Sequence, residues 1–130
     1  MKWENLARQL TEVPTGTGRC LFAAFHSLDD GTCLGKYPKD SPPVKTEEIL
    51  ELKRAFKDPT LLYSSNITLR DIKFTYVKVE GNALLGRTSQ LACIVMQTDD
   101  AIIVCIYPGE EQSKYVFNNC VNVWEKSKEM

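Results

Sequence analysis

The sequence predicts an α+β sandwich: a central antiparallel sheet, the helices of the two chain ends packed on one face, and smaller helical structure on the other. Three observations carry this reading. Two apolar runs, Leu91 to Met96 and Ala101 to Tyr107, flank the polar break Thr98-Asp99-Asp100, which is the pattern of a tight hairpin between two buried strands. Helix-period segments stand at both ends of the chain, and amphipathic helices this short need a surface to lie on. Between them, successive apolar stretches are joined by tight polar turns, which make neighbouring strands antiparallel.

Each element follows from local chemistry. Trp3, Leu6, Ala7 and Leu10 share one helical face, and Val13-Pro14 ends that helix. Thr15-Gly16-Thr17-Gly18 is a turn leading into Cys20-Leu21-Phe22-Ala23-Ala24-Phe25, a buried strand. Asp29-Asp30-Gly31 turns it back into Thr32 to Leu34. Prolines make the stretch from Tyr37 to Pro43 irregular. Thr46 reads as the N-cap of a helix over Glu47 to Lys57, with glutamates in its first turn, Lys53, Arg54 and Lys57 in its last, and Ile49, Leu52 and Phe56 facing the core. Asp58-Pro59 stops it, and Leu61-Leu62-Tyr63 leads through Ser64-Ser65-Asn66 to Ile67-Thr68-Leu69. Ile72 to Val79 is a β-branched and aromatic strand that Glu80-Gly81-Asn82 turns back into Ala83-Leu84-Leu85. After the hairpin, Val116, Phe117, Cys120, Val121 and Trp124 mark the last helix.

Composition sets the remaining bounds. With 130 residues, 43% hydrophobic and 25% charged, residues 1–130 form one domain with one buried core. A net charge of −1 argues against a nucleic-acid-binding surface. No run is long enough to span a bilayer and the start lacks a signal-peptide core, so a cytoplasmic protein is expected. Five cysteines without a C-x-x-C pair read as reduced core thiols, and His26 is the only histidine; neither supplies a metal site or a catalytic triad. The glycines of residues 15–18 open a strand and lack the lysine of a phosphate loop. The pairs Asp99-Asp100 and Glu110-Glu111 are solvated turn charges. The reading is therefore a non-enzyme with no catalytic residues, no metal and no cofactor.

Charge is uneven within this frame. Arg70, Lys73, Lys78 and Arg87 lie on neighbouring strands against only Asp71 and Glu80, whereas Leu91 to Glu111 carries four acids and no cation. Such asymmetry suits a protein partner or an anionic head group. Lys73 and Lys78 have opposite parity, so on a regular strand they point to opposite faces, and only a bulge brings them together.

Taken in order, these residues resemble the profilins, and the likeness spans nearly the whole chain. Met1-Lys2-Trp3-Glu4 resembles the family's start with its early tryptophan. Tyr63-Ser64-Ser65-Asn66-Ile67-Thr68-Leu69 resembles the segment entering its central strands, Leu85-Gly86-Arg87-Thr88 its Arg-Thr strand, and Ile94 to Tyr107 with the closing helix its C-terminal hairpin and helix. The strand and C-terminal segments look closer to the testis-type animal profilin than to the common cytoplasmic ones. The resemblance implies a monomeric, cytoplasmic, cytoskeleton-associated protein that binds the barbed-end side of monomeric actin and regulates its assembly. Carried over by position, the actin-facing residues are Tyr63, Lys73, Lys78, Arg87, Lys114, Asn118 and Asn122.

Two further ligands are implied by the same resemblance. Profilins stack proline-rich segments on aromatics of the terminal helices and an early strand. Here the corresponding positions are Trp3, Leu6 and Leu34, two of them aliphatic, and the sequence ends at Met130 without a terminal tyrosine, so weak or absent poly-proline binding is expected. Phosphoinositide head groups would meet Lys73, Lys78 and Arg87, a thin cluster implying weak, salt-sensitive binding. The rival reading is a trafficking scaffold of the longin or roadblock type, whose small sandwiches also carry helices on an antiparallel sheet.

Overall fold

The computed structural model describes residues 2–14, 16–63 and 66–128. Met1, Thr15, Ser64, Ser65, Glu129 and Met130 lie outside the described residues, and with them parts of the expected opening, of the 15–18 turn and of the segment entering the central strands.

Helix α1 (Lys2–Thr11) places Leu6, Ala7 and Leu10, all fully buried, along one stripe. Helix α2 spans Thr46–Lys57 and helix α3 Ser113–Ser127. Seven strands, β1 (Phe22–Ser27), β2 (Cys33–Tyr37), β3 (Ile67–Leu69), β4 (Ile72–Glu80), β5 (Ala83–Arg87), β6 (Leu91–Gln97) and β7 (Ala101–Pro108), form one sheet in the order β2-β1-β7-β6-β5-β4-β3. Every pairing is antiparallel.

Where the sequence reading expected one buried core, alternation along these strands divides the interior into two, one on each face of the sheet. One face presents Phe25, Leu85, Ile94, Ile103 and Cys105 to α1 and α3; the other presents Phe22, Phe74, Leu84, Val95 and Val104 to α2. Strand β7 is buried on both faces from Ala101 to Tyr107, which is why it reads as an unbroken apolar run. Each large aliphatic side chain sequestered in this way contributes roughly 1.5–3 kcal/mol. In the terminal-helix core the Sγ atoms of Cys105 and Cys120 lie 3.4 Å apart, both buried, and the cysteines are free thiols.

Three local expectations change. Thr46 is not the cap of α2 but its first residue; Lys45 occupies the cap, and Glu48 reaches back to accept the Lys45 backbone N–H at 3.0 Å. The same carboxylate accepts the backbone N–H groups of Arg70 at 2.9 Å and Asp71 at 3.0 Å, so one buried glutamate ties α2 to the β3–β4 turn. The stretch after Asp58 holds a 3-10 turn, Pro59–Leu62, where a plain lead-in was expected; Asp58 caps it by accepting from Thr60 N. Arg70 leaves the expected cation group altogether. It sits in the β3–β4 turn with φ 54° and lays its guanidinium over the Phe22 ring at 4.6 Å, on the α2 side.

A candidate partner-binding face

The strand register decides which cations share a surface. Tyr76 pairs with Gly86 and Lys78 with Leu85, leaving Val77 as an extra residue in β4. This is a bulge, and it shifts the parity of the strand by one. Lys78 therefore falls opposite Leu85 of the terminal-helix core, while Thr75 falls opposite Arg87. Lys73 alternates with Phe74, which belongs to the α2 core, and so takes the same side as Thr75 and Arg87. The opposite parity of Lys73 and Lys78 in the sequence is thus cancelled, and Lys73, Lys78 and Arg87 present to the face that carries α1 and α3.

Two of these cations already have partners. Lys78 pairs with Glu80 at 3.5 Å, an exposed contact that lowers the local positive charge. Arg87 Nη2 donates to the Gly109 carbonyl at 2.6 Å, in the turn that leads into α3. Lys73, paired with Thr68 of the edge strand β3, also borders a groove of ≈ 400 Å³ beneath α2 with Glu47, Glu51 and Thr68.

Helix α3 buries Val116, Cys120, Val123 and Trp124 and exposes Lys114, Asn118 and Asn122. At 100° per residue Lys114 and Asn118 are neighbours on its outer side, whereas Asn122 turns toward α1 and lines the groove between the two helices. Asn119 faces the 16–19 loop, donating to the carbonyls of Thr17 at 3.0 Å and Gly18 at 3.1 Å. Tyr63 stands apart from the cations. It is 74% exposed and lies against Tyr76, whose ring packs on the α2 core, with ring centres 6.0 Å apart. The expected actin-facing set therefore divides: register turns Lys78 and Arg87 to the α1–α3 face, Lys73 follows them by alternation but also reaches the groove beneath α2, Lys114 and Asn118 lie on the outer side of α3, and Tyr63 and Asn122 depart in different directions.

The proposed proline-binding positions lie around the start of α1. Trp3 is half-buried and tilts on Phe25 at 5.4 Å between ring centres. Gly35 of β2 brings the backbones together there, since a Cβ at this glycine would stand 2.6 Å from the Glu4 nitrogen. Leu6 is fully buried, and Leu34 packs partly buried on the terminal-helix core. Between α1 and α3 runs a groove of ≈ 710 Å³ lined by Asn5, Gln9, Asn119, Asn122 and Lys126 together with Val13 and Val123, and by no aromatic side chain. On its α1 wall Arg8 binds Glu12 at 2.9 Å and holds that carboxyl below its ordinary range.

Sequence reasoning passed over two residues that organise this face. Val77 gives no sign of being a bulge, because its type is ordinary for a strand. Gly109 offers in sequence only the Pro108-Gly109 pair, the composition of any turn. Among the described residues no cluster of metal-ligating side chains occurs, and no helix is long and apolar enough to cross a membrane.

Comparison with known proteins agrees with the architecture. No curated protein matches the sequence. Profilin IA of Acanthamoeba castellanii superposes with a TM-score of 0.78 at 18% identity, covering 95% of this chain and 94% of that one. Mouse profilin IIa, solved in complex with a double repeat from the FH1 domain of mDia1, superposes with a TM-score of 0.73 at 12% identity, covering 95% and 94%. The gliding protein MglB from Thermus thermophilus is a weaker likeness, with a TM-score of 0.52 at 14% identity, covering 94% and 84%. At these identities the superpositions speak to fold. The sequence itself matches the profilin family model over residues 1–127, nearly its whole length, and the sheet with paired terminal helices is the architecture that match requires, so the chain belongs to the profilin family.

Proposed function

We propose that this profilin binds monomeric actin and regulates its assembly without catalysing a reaction, acting in the cytoplasm in association with the cytoskeleton. The observation that carries the reading is the Val77 bulge, which aligns Lys73 and Lys78 with Arg87 on the side where α3 exposes Lys114 and Asn118. Cations and amides gathered from two neighbouring strands and a helix suit an acidic protein partner, whose approach they would steer. Polymerisation of pyrene-labelled actin, with sedimentation of the mixture, tests it: rising protein should lower the polymer formed and yield a measurable complex. Unchanged polymerisation without a complex would remove the assignment.

Poly-proline binding is proposed to be weak or absent. Trp3 is engaged with Phe25, Leu6 is buried, Leu34 is aliphatic, and no aromatic ring lines the groove between the terminal helices, where stacked rings would be needed. Titration with a proline decamer followed by tryptophan fluorescence should show no transition below millimolar peptide, and a sub-millimolar shift would overturn the proposal. Phosphoinositide binding is proposed to be weak and salt-sensitive, since Lys78 shares its charge with Glu80 and Arg87 is turned to Gly109.

A further inference from the structure

We infer that Arg87 is a positioning residue that sets where α3 begins, rather than a direct contact for the partner. Its place on the cation face is given by register, but its guanidinium is committed to the Gly109 carbonyl at 2.6 Å. Charge-assisted bonds of this kind are short and about twice as strong as neutral ones. The N–H of Gly109 donates to the Gln90 carbonyl at 2.9 Å. Both backbone groups of Gly109 are therefore held from the β5–β6 corner, one by the Arg87 side chain and the other by the Gln90 main chain. A Cβ at Gly109 would stand 3.1 Å from the Gln90 oxygen and 3.2 Å from Arg87 Nη2, so the clamp closes tightly around a residue with no side chain.

The chain beyond Gly109 makes this clamp consequential. Glu111 N–H donates to the Pro108 carbonyl, closing the turn, and α3 starts at Ser113. The helix has no side-chain cap at Gln112 and no acidic residue in its first turn. Those are the devices that ordinarily fix a helix start. Without them, the start of α3 is set by where the clamped turn delivers the chain, and Lys114 and Asn118 are aimed accordingly.

The binding consequence rests on the proposed function, but the positioning itself is read in the free protein. Hydrogen exchange at the Glu111, Tyr115 and Val116 amides is compared among the natural protein, Arg87→Ala and Arg87→Lys, with urea unfolding showing that each variant is folded. Arg87→Ala should exchange about tenfold faster at these amides, the loss of one charge-assisted bond, and Arg87→Lys should recover part of it, because an ammonium donates but lacks the planar fork. In actin binding, Arg87→Ala should raise the dissociation rate and leave the salt dependence unaltered. Unchanged exchange in Arg87→Ala overturns the inference, and so does a fall in salt dependence without faster exchange, which would make Arg87 a direct contact. If no actin binding is found for any of the three proteins, the functional reading fails while the exchange result still decides the role of Arg87.

Discussion

His26 donates from Nδ1 to the Gly31 carbonyl at 2.9 Å, an arrangement that leaves Nε2 unprotonated, fully buried and without a hydrogen-bonding partner among the described residues. Burial lowers the imidazole pKa from its ordinary 6.5, outweighing the opposite effect of the bond to Gly31. The folded state therefore resists a proton that the unfolded chain accepts. Above pH 6.5 both states are neutral and the group adds no pH dependence; as pH falls below 6.5, stability is lost by up to about 1.4 kcal/mol per unit until the folded pKa is reached. Urea midpoints between pH 7.5 and 5 should fall in the natural protein and stay nearly level in His26→Leu across the same interval.

Glu48 is the acceptor for three backbone donors, at Lys45, Arg70 and Asp71, the last two held at φ 54° and 65°. Glu48→Ala removes the carboxylate that satisfies that turn and should cost about 3 kcal/mol. Glu48→Gln, which keeps one carbonyl acceptor, should cost about 1 kcal/mol. Equilibrium unfolding in urea distinguishes the two.

Gly18 adopts φ +74°, and a Cβ there would stand 2.7 Å from the Tyr115 carbonyl carbon and 2.7 Å from Asn119 Nδ2. The loop before β1 rests on α3 at this point. Gly18→Ala should destabilise the fold by about 2–4 kcal/mol, from left-handed strain together with displacement of helix backbone. Gly16→Ala, whose φ is similar but whose Cβ would meet nothing within 4 Å, should cost about 1 kcal/mol, and thermal melts of the pair separate strain from crowding.

Lys78 and Tyr63 lie on opposite faces of β4, so their substitutions should part company. Lys78→Glu is expected to weaken actin binding about tenfold while changing stability by less than about 0.5 kcal/mol. Tyr63→Ser should leave both nearly unchanged. Equal losses in the two variants would show that the binding surface wraps the sheet edge.

The legible parts of the fold were those whose signals are local. The β6–β7 hairpin announced itself because β7 is buried on both sides and therefore apolar at every position, with a polar break at Thr98-Asp99-Asp100. The start of α2 was read one residue late, since Thr46 is a good cap by type while Lys45 is the cap in fact, its N–H satisfied by a glutamate three residues on. At the candidate site the residue types were visible but their faces were not. Whether Lys73 and Lys78 meet depends on one unpaired residue, Val77, and whether Arg87 is free depends on a carbonyl 22 residues away. Both are properties of tertiary pairing, which leave no trace in spacing.

The clustered thiols give the terminal-helix face a chemical clock. Hydrogen bonding to Cys120 and Cys20, together with burial, holds the Cys105 thiol well above its usual pKa, and Cys93 is raised by burial in the opposite core. Alkylating reagents attack thiolates they can reach. Cys33 is exposed and is modified without any opening, whereas Cys120 becomes reachable only when α3 lifts from the sheet. The delay before the Cys120 peptide gains mass, measured against Cys33, therefore times how often the helix carrying Lys114 and Asn118 leaves its seat.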